Sequence, residues 1–116
     1  MRALAVLAAA GLLYGCSSPA QQEAVDAAVE FSRAAPSRAC ALLAPATAEA
    51  VVERSGSCED ALASFTRAAG QVWAVEVAGE SAQVRLDGDV VFLARFPGGW
   101  RVTAAGCVLE DADPAV

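Results

Sequence analysis

The chain has 116 residues, enough for one small domain and too few for two. It is 56% hydrophobic but only 6% aromatic, with 29 alanines and a net charge of −6. All eight basic residues are arginine and histidine is absent, which removes imidazole bases, His-ligated zinc, lysine Schiff bases and phosphate-loop lysines. The acidic balance argues against nucleic acid as a partner, because that binding rests on neutralising phosphates.

Met1-Arg2 precedes an apolar run of eleven residues, Ala3 to Leu13. A membrane-spanning helix needs about 20 apolar residues, whereas a secretory signal core has about 7–15. The run ends in Leu13-Tyr14-Gly15-Cys16, which resembles the bacterial lipobox: Leu three before Cys, and a small residue directly before it. Tyr14 stands where Ala, Ser or Thr is usual. The resemblance implies a lipoprotein signal peptide over residues 1–15, cleavage before Cys16 and a diacylglyceryl thioether on Cys16. Residues 16–20 are then the lipidated cysteine and its tether, and the expected location is the extracytoplasmic face of the cell membrane, held by lipid. Losing Arg2 takes the net charge to about −7, so anionic headgroups repel the domain and the lipid supplies the grip. The plainer readings are a secretory signal cut elsewhere, or a buried helix.

Residues 21–110 are expected to form one α+β domain, with a flexible tail over 111–116. Ser18-Pro19-Ala20-Gln21 predicts a helix start, with Ser as N-cap, Pro at the first position and Gln completing a capping box. Val25, Ala28, Val29 and Ser32 recur at helical spacing, and Pro36 ends that helix. A short second helix is expected after Ser37, ending at Pro45, which also offers a start for the third. A third runs over Thr47 to Arg54 and is broken by Ser55-Gly56-Ser57. Ser57-Cys58-Glu59-Asp60 predicts a fourth, with Leu62, Phe65 and Ala69 inward and Gly70 as its C-cap.

After Gly70 the period becomes two. Trp73, Val75 and Val77 alternate with Ala74 and Glu76, and Ala82, Val84 and Leu86 with Gln83 and Arg85. Asp87-Gly88-Asp89 and Pro97-Gly98-Gly99 are strong turn signals around the apolar run Val90 to Phe96. Trp100, Val102 and Ala104 close the pattern. Helices followed by a four-stranded antiparallel meander give the α+β layout, helices packed on one face of a curved sheet. The expected core includes Phe31, Leu42, Leu43, Val51, Leu62, Phe65, Val75, Val84, Leu86, Phe92 and Val102.

With Cys16 lipidated, Cys40, Cys58 and Cys107 remain, and three pairings are open. Cys40–Cys58 is favoured, since each lies near a helix start and the loop is short. The alternative, a redox or metal pair, lacks C-x-x-C spacing and histidine. Cys107 is left as a thiol without a partner, at a strand end.

Cys40-Ala41-Leu42-Leu43-Ala44-Pro45, Gly56-Ser57-Cys58 and the stretch Phe92 to Cys107, with Gly98-Gly99-Trp100-Arg101-Val102 inside it, resemble small actinobacterial secreted or lipid-anchored members of the nuclear transport factor 2-like (SnoaL-like) superfamily. The resemblance covers nearly all of the mature chain and implies a cone-shaped α+β fold. It also implies a further Cys after the last strand to partner Cys107, and none follows here. The superfamily holds enzymes, binders and scaffolds alike, so fold alone assigns no task.

Such a cone often encloses a pocket, for which Trp73, Phe92 and Trp100 are candidate lining residues. The isomerase-like members use an Asp base with a Tyr donor, and the only tyrosine here, Tyr14, lies in the leader. Glu76, Arg85, Arg95, Arg101 and Thr103 fall mostly opposite the inner stripe. Asp87 and Asp89 read as turn residues. No catalytic residue, cofactor or metal site is expected, and the chain reads as not an enzyme. The expected role is a lipid-anchored envelope domain that binds or scaffolds a protein partner. The alternative is a carrier of a small apolar ligand or lipid in the cone cavity, and an isomerase or dehydratase comes last. An apolar outer sheet face favours the first; an enclosed apolar cavity of about 300 Å³ or more favours the second.

Cys16→Ala is expected to release the protein from the membrane fraction. Membrane fractionation checks this, and unchanged retention contradicts the lipobox reading.

Overall fold

The computed structural model describes residues 18–65, 67 and 70–107. The leader, Cys16 and the 111–116 tail lie outside the described residues. Ser18 opens helix α1 (Pro19–Arg33) with the expected capping box: its hydroxyl accepts from the Gln21 amide, and the Gln21 side chain accepts from the Ser18 amide, both at 3.1 Å. The face that α1 buries is Ala24, Ala28, Phe31 and Ser32. Ala28 and Ser32 of the expected stripe are buried, with Phe31 beside them; Val25 packs part-buried against the core, Val29 is only part-buried, and Ala24 joins the buried face. Two alanines bring the helix backbone close to the sheet, and the bulk of Phe31 then fills the space beyond them. Ser32 is buried without cost because its hydroxyl donates to the Ala28 carbonyl at 2.9 Å.

Pro36 does more than end α1. It is the first residue of α2 (Pro36–Ala41), with Ala35 rather than Ser37 as N-cap. Pro45 likewise opens α3 (Pro45–Ser55). Gly56, at φ 85°, supplies the left-handed cap and donates its amide to the Val52 carbonyl. Ser57 caps α4 (Cys58–Ala63) by accepting from the Asp60 amide, and Glu59 and Asp60 face the positive helix end. α4 stops well short of Gly70. Ser64 turns its hydroxyl back onto the Asp60 and Ala61 carbonyls and competes with continuation. Ala69 lies outside the described residues, and Gly70 packs against Asp87 instead of capping a helix.

Four antiparallel strands follow in meander order: β1 (Val72–Ala78), β2 (Ser81–Leu86), β3 (Asp89–Phe96) and β4 (Gly99–Cys107). Val84 lies opposite both Val75 and Val91, and Leu93 opposite both Ala82 and Val102, which sets the inner face. Phe31, Val84, Val91, Leu93 and Val102 are the largest fully buried side chains. Leu43, Leu62 and Leu86 are also buried, while Leu42, Val51, Phe65 and Val75 pack partly buried against them. Phe92 is the exception to the expected core. The run 90–96 is apolar at nearly every position, so its inward set is ambiguous in sequence; the register puts Val91 and Leu93 inward and Phe92 opposite Gln83 on the other face, half-buried.

The sheet is bent by bulges. Val72 pairs with Leu86 and Ala74 with Arg85, which leaves Trp73 as an extra residue on β1. β4 carries an extra residue twice against β3, between the partners of Val90 and Phe92 and again between those of Phe92 and Leu93. The free side of β4 is covered by the segment between α2 and α3. The Val102 amide donates to the Leu42 carbonyl at 2.9 Å, the Ala44 amide donates to the Val102 carbonyl at 2.8 Å, and Leu43 forms a parallel bridge with Val102.

The expected disulfide is present: Cys40 and Cys58 are bonded, joining α2 to α4 across 18 positions. In the chain-entropy picture Cys40→Ala and Cys58→Ala should each cost roughly 3 kcal/mol, with the double variant little worse than either. Denaturant titration of the three variants checks this, and additive losses contradict the pairing. Gly106 sits at φ 77°, and a Cβ there would lie 2.6 Å from the Phe65 ring. Gly106→Ala is therefore expected to cost roughly 3 kcal/mol, against about 1 kcal/mol for Gly56→Ala, which has open space around it. Equal losses in the same titration would show that Phe65 does not press on Gly106.

Candidate functional site: an apolar groove beside the last strand

α3 has the sequence PATAEAVVERS, and none of its residues is fully buried. Ala46 and Ala50, both exposed, are too small to fill the space between the helix and β4. Thr47, Val51 and Arg54, at i, i+4 and i+7, form the face turned toward the gap. The Thr47 hydroxyl spans it at one point, donating to the Thr103 carbonyl at 3.2 Å.

The gap is a groove of 270 Å³ with Phe31, Leu43, Leu62, Phe65 and Val102 as its apolar walls. It is open on one side. A second depression of 530 Å³ continues from it, sharing Thr47, Val51, Arg54, Ala104 and Ala105. The groove is mainly apolar, with polar groups at its rim: Thr47, Arg54 and Ser55. Such a surface shields carbon chains or rings from water, and its described lining residues hold no nucleophile with a neighbouring base.

The sequence-expected lining residues lie elsewhere. Trp73 is 73% exposed, because the bulge gives its inward place to Val72; its indole Nε1 donates to the Asp87 carboxylate. It borders a shallow outer-face depression with Glu76, Gln83 and Arg85. Phe92 lies on that same outer face. Trp100 is buried on the inner face, with the Arg95 guanidinium stacked 4.7 Å over its ring, and borders a depression beside Glu23, Asp26 and Glu30 of α1. Arg95 thus shares the face of Trp100 and Leu93, unlike Glu76 and Arg85. Arg101 donates to the Ala41 carbonyl at 2.9 Å, at the end of α2, and the Thr103 hydroxyl donates to the Phe92 carbonyl at 3.1 Å. Among the described residues the outer face mixes Glu76, Gln83 and Arg85 with Ala74 and Phe92, and Val90 on the same side is buried. Cys107 ends β4 opposite Val90 in backbone register; its thiol lies outside the described side chains.

Two features were missed in sequence. Arg67 donates to the Phe31 carbonyl at 2.7 Å and lies 5.6 Å over the Phe31 ring, closing the last turn of α1. Asp89 is 5% exposed, and its Oδ1 accepts from the Val90 amide at 2.6 Å and the Gly106 amide at 2.8 Å. Among the described residues it is the only buried carboxylate, and it holds the backbone of β4 rather than facing the groove. Asp87, by contrast, is an exposed turn residue.

Among the described residues no helix is long and apolar enough to cross a membrane, and no three Asp, Glu or Cys side chains gather as metal ligands. No protein-family model, no curated protein and no solved structure matches the chain.

Asp89→Ala leaves two backbone amides without their acceptor and is expected to cost roughly 3 kcal/mol; Asp87→Ala should cost under about 1 kcal/mol. Denaturant titration compares the two, and equal small losses would contradict the bracing role of Asp89.

Proposed function

We propose that this chain is a non-catalytic, lipid-anchored binding domain of the cell envelope, with a nuclear transport factor 2-like cone, and that its groove takes a small apolar ligand. The observation that carries this reading is the apolar space between α3, α4 and β4, walled by Phe31, Leu43, Leu62, Phe65 and Val102. Val51, Phe65, Ala104 and Ala105 are its part-exposed apolar surface, and the buried Phe31 lies directly behind them. The cone is supported by the element order and by the bulges that curve β1 and β4. Among the described residues, those lining the groove include no carboxylate, and Asp89 accepts from two backbone amides of the sheet; both are compatible with a binding role.

A protein partner is the second reading. Trp73 favours it, since a large exposed aromatic beside an outer strand is a typical anchor at interfaces.

Titration with uncharged decanol, followed by amide chemical shifts, tests the groove. Shifts are expected at Val51, Leu62, Ala104 and Ala105. Ala104→Phe, which fills the groove, should weaken binding by about tenfold or more. Shifts confined to Trp73 and its neighbours would contradict the assignment.

A further inference from the structure

We propose that the groove's ligand is a single-chain amphiphile with an anionic head, and that Arg54 binds the head. This rests on the reading of the groove as an apolar-ligand site and adds the ligand's chemical class.

Arg54 lines both the 270 Å³ groove and the 530 Å³ depression, so it stands where the two meet. Its charge is uncommitted. Arg38 pairs with Glu30 at 2.7 Å, Arg67 and Arg101 donate to backbone carbonyls, and Arg95 stacks on Trp100. Among the described residues Arg54 makes no ion pair and no side-chain hydrogen bond. The two acids of its own helix, Glu49 and Glu53, line neither compartment. Among the described residues that line it, the site presents one cation, Arg54, beside an apolar slot.

That pairing selects a head and a tail together. An alkyl chain gains by leaving water against the part-exposed Val51, Phe65 and Ala104. A carboxylate or phosphate at its end meets a planar guanidinium fork that binds either in bidentate fashion. A quaternary ammonium meets repulsion at the same point, and a hydroxyl gains little. The whole chain is acidic, so the attraction is local, and added salt weakens it.

Calorimetric titration of the full chain carrying Cys16→Ala, so that no covalent acyl group competes, compares four probes of equal tail: decanoate, decyl phosphate, decanol and decyltrimethylammonium. The two anions are expected to bind about tenfold tighter than decanol, and decyltrimethylammonium weakest. Arg54→Gln should bring decanoate to the level of decanol with no loss of decanol binding, and Arg54→Lys should restore part of the difference. Decanoate ahead of decyl phosphate points to a fatty acid, and the reverse order to a phosphate headgroup; either supports the proposal. Decanol equal to decanoate, or Arg54→Gln with unchanged decanoate affinity and only slightly lowered thermal stability, overturns it and leaves the apolar site standing. In that case Arg54 serves only to complement the negative end of α3. Binding of none of the four probes overturns the apolar site itself.

Discussion

Two backbone hydrogen bonds join the helical half of the chain to the sheet. Val102 donates to Leu42 and accepts from Ala44, so the short segment between α2 and α3 lies along the edge of β4 like a fifth strand. This seam does three things at once. It satisfies the β4 backbone on a side that no other strand covers, which blunts one sheet edge. It fixes where α3 begins, because Pro45 follows the paired segment directly. It also places Leu43 in the core beside Phe31 and Leu62. The disulfide and the Arg101 contact to Ala41 reinforce the same corner, one tying α2 to α4 and the other tying α2 to β4.

The groove is a consequence of that corner. α3 is pinned at its start by the seam, and its alanines have no side chains long enough to close the gap to the sheet. α4, held by Cys58, forms the other wall. An alanine-rich helix normally lets two elements approach closely, as Ala24 and Ala28 do where α1 meets the sheet. In α3 the same residue type leaves space, because the backbone is held off by the connections at its two ends. Composition alone does not distinguish these cases; tertiary position does.

Much of the architecture was legible in the sequence for local reasons. The capping box at Ser18, the Ser57 cap, Pro19 at a helix start and the turns at Gly88 and Gly99 are short-range signals, and each appears where the chain carries it. Alternation gave the inward sets of β2 and of the outer half of β1. It failed at Trp73 because a bulge inserts one residue and reverses the parity before it. It was silent over 90–96 because Val90, Val91, Phe92 and Leu93 are all apolar, so only pairing with Val84 decides which point inward. The groove was illegible for a different reason. It depends on the contact of Leu43 with Val102, far apart in sequence, and on missing bulk at Ala46 and Ala50, and neither leaves a motif. The sequence points to Trp73, Phe92 and Trp100 as lining residues, whereas the apolar space lies at Phe31, Leu43, Leu62, Phe65 and Val102.

The seam at Val102 is the claim on which the groove and its ligand both depend, and amide hydrogen exchange reads it directly. The amides of Val102 and Ala44 should exchange as slowly as those of Val84, Val91 and Leu93, because opening the seam requires separating the helical half from the sheet. Exchange of Val102 and Ala44 at the rate of exposed loop amides, with Val84 and Leu93 still protected, would mean that the segment is not held on β4 and that the groove has no fixed wall.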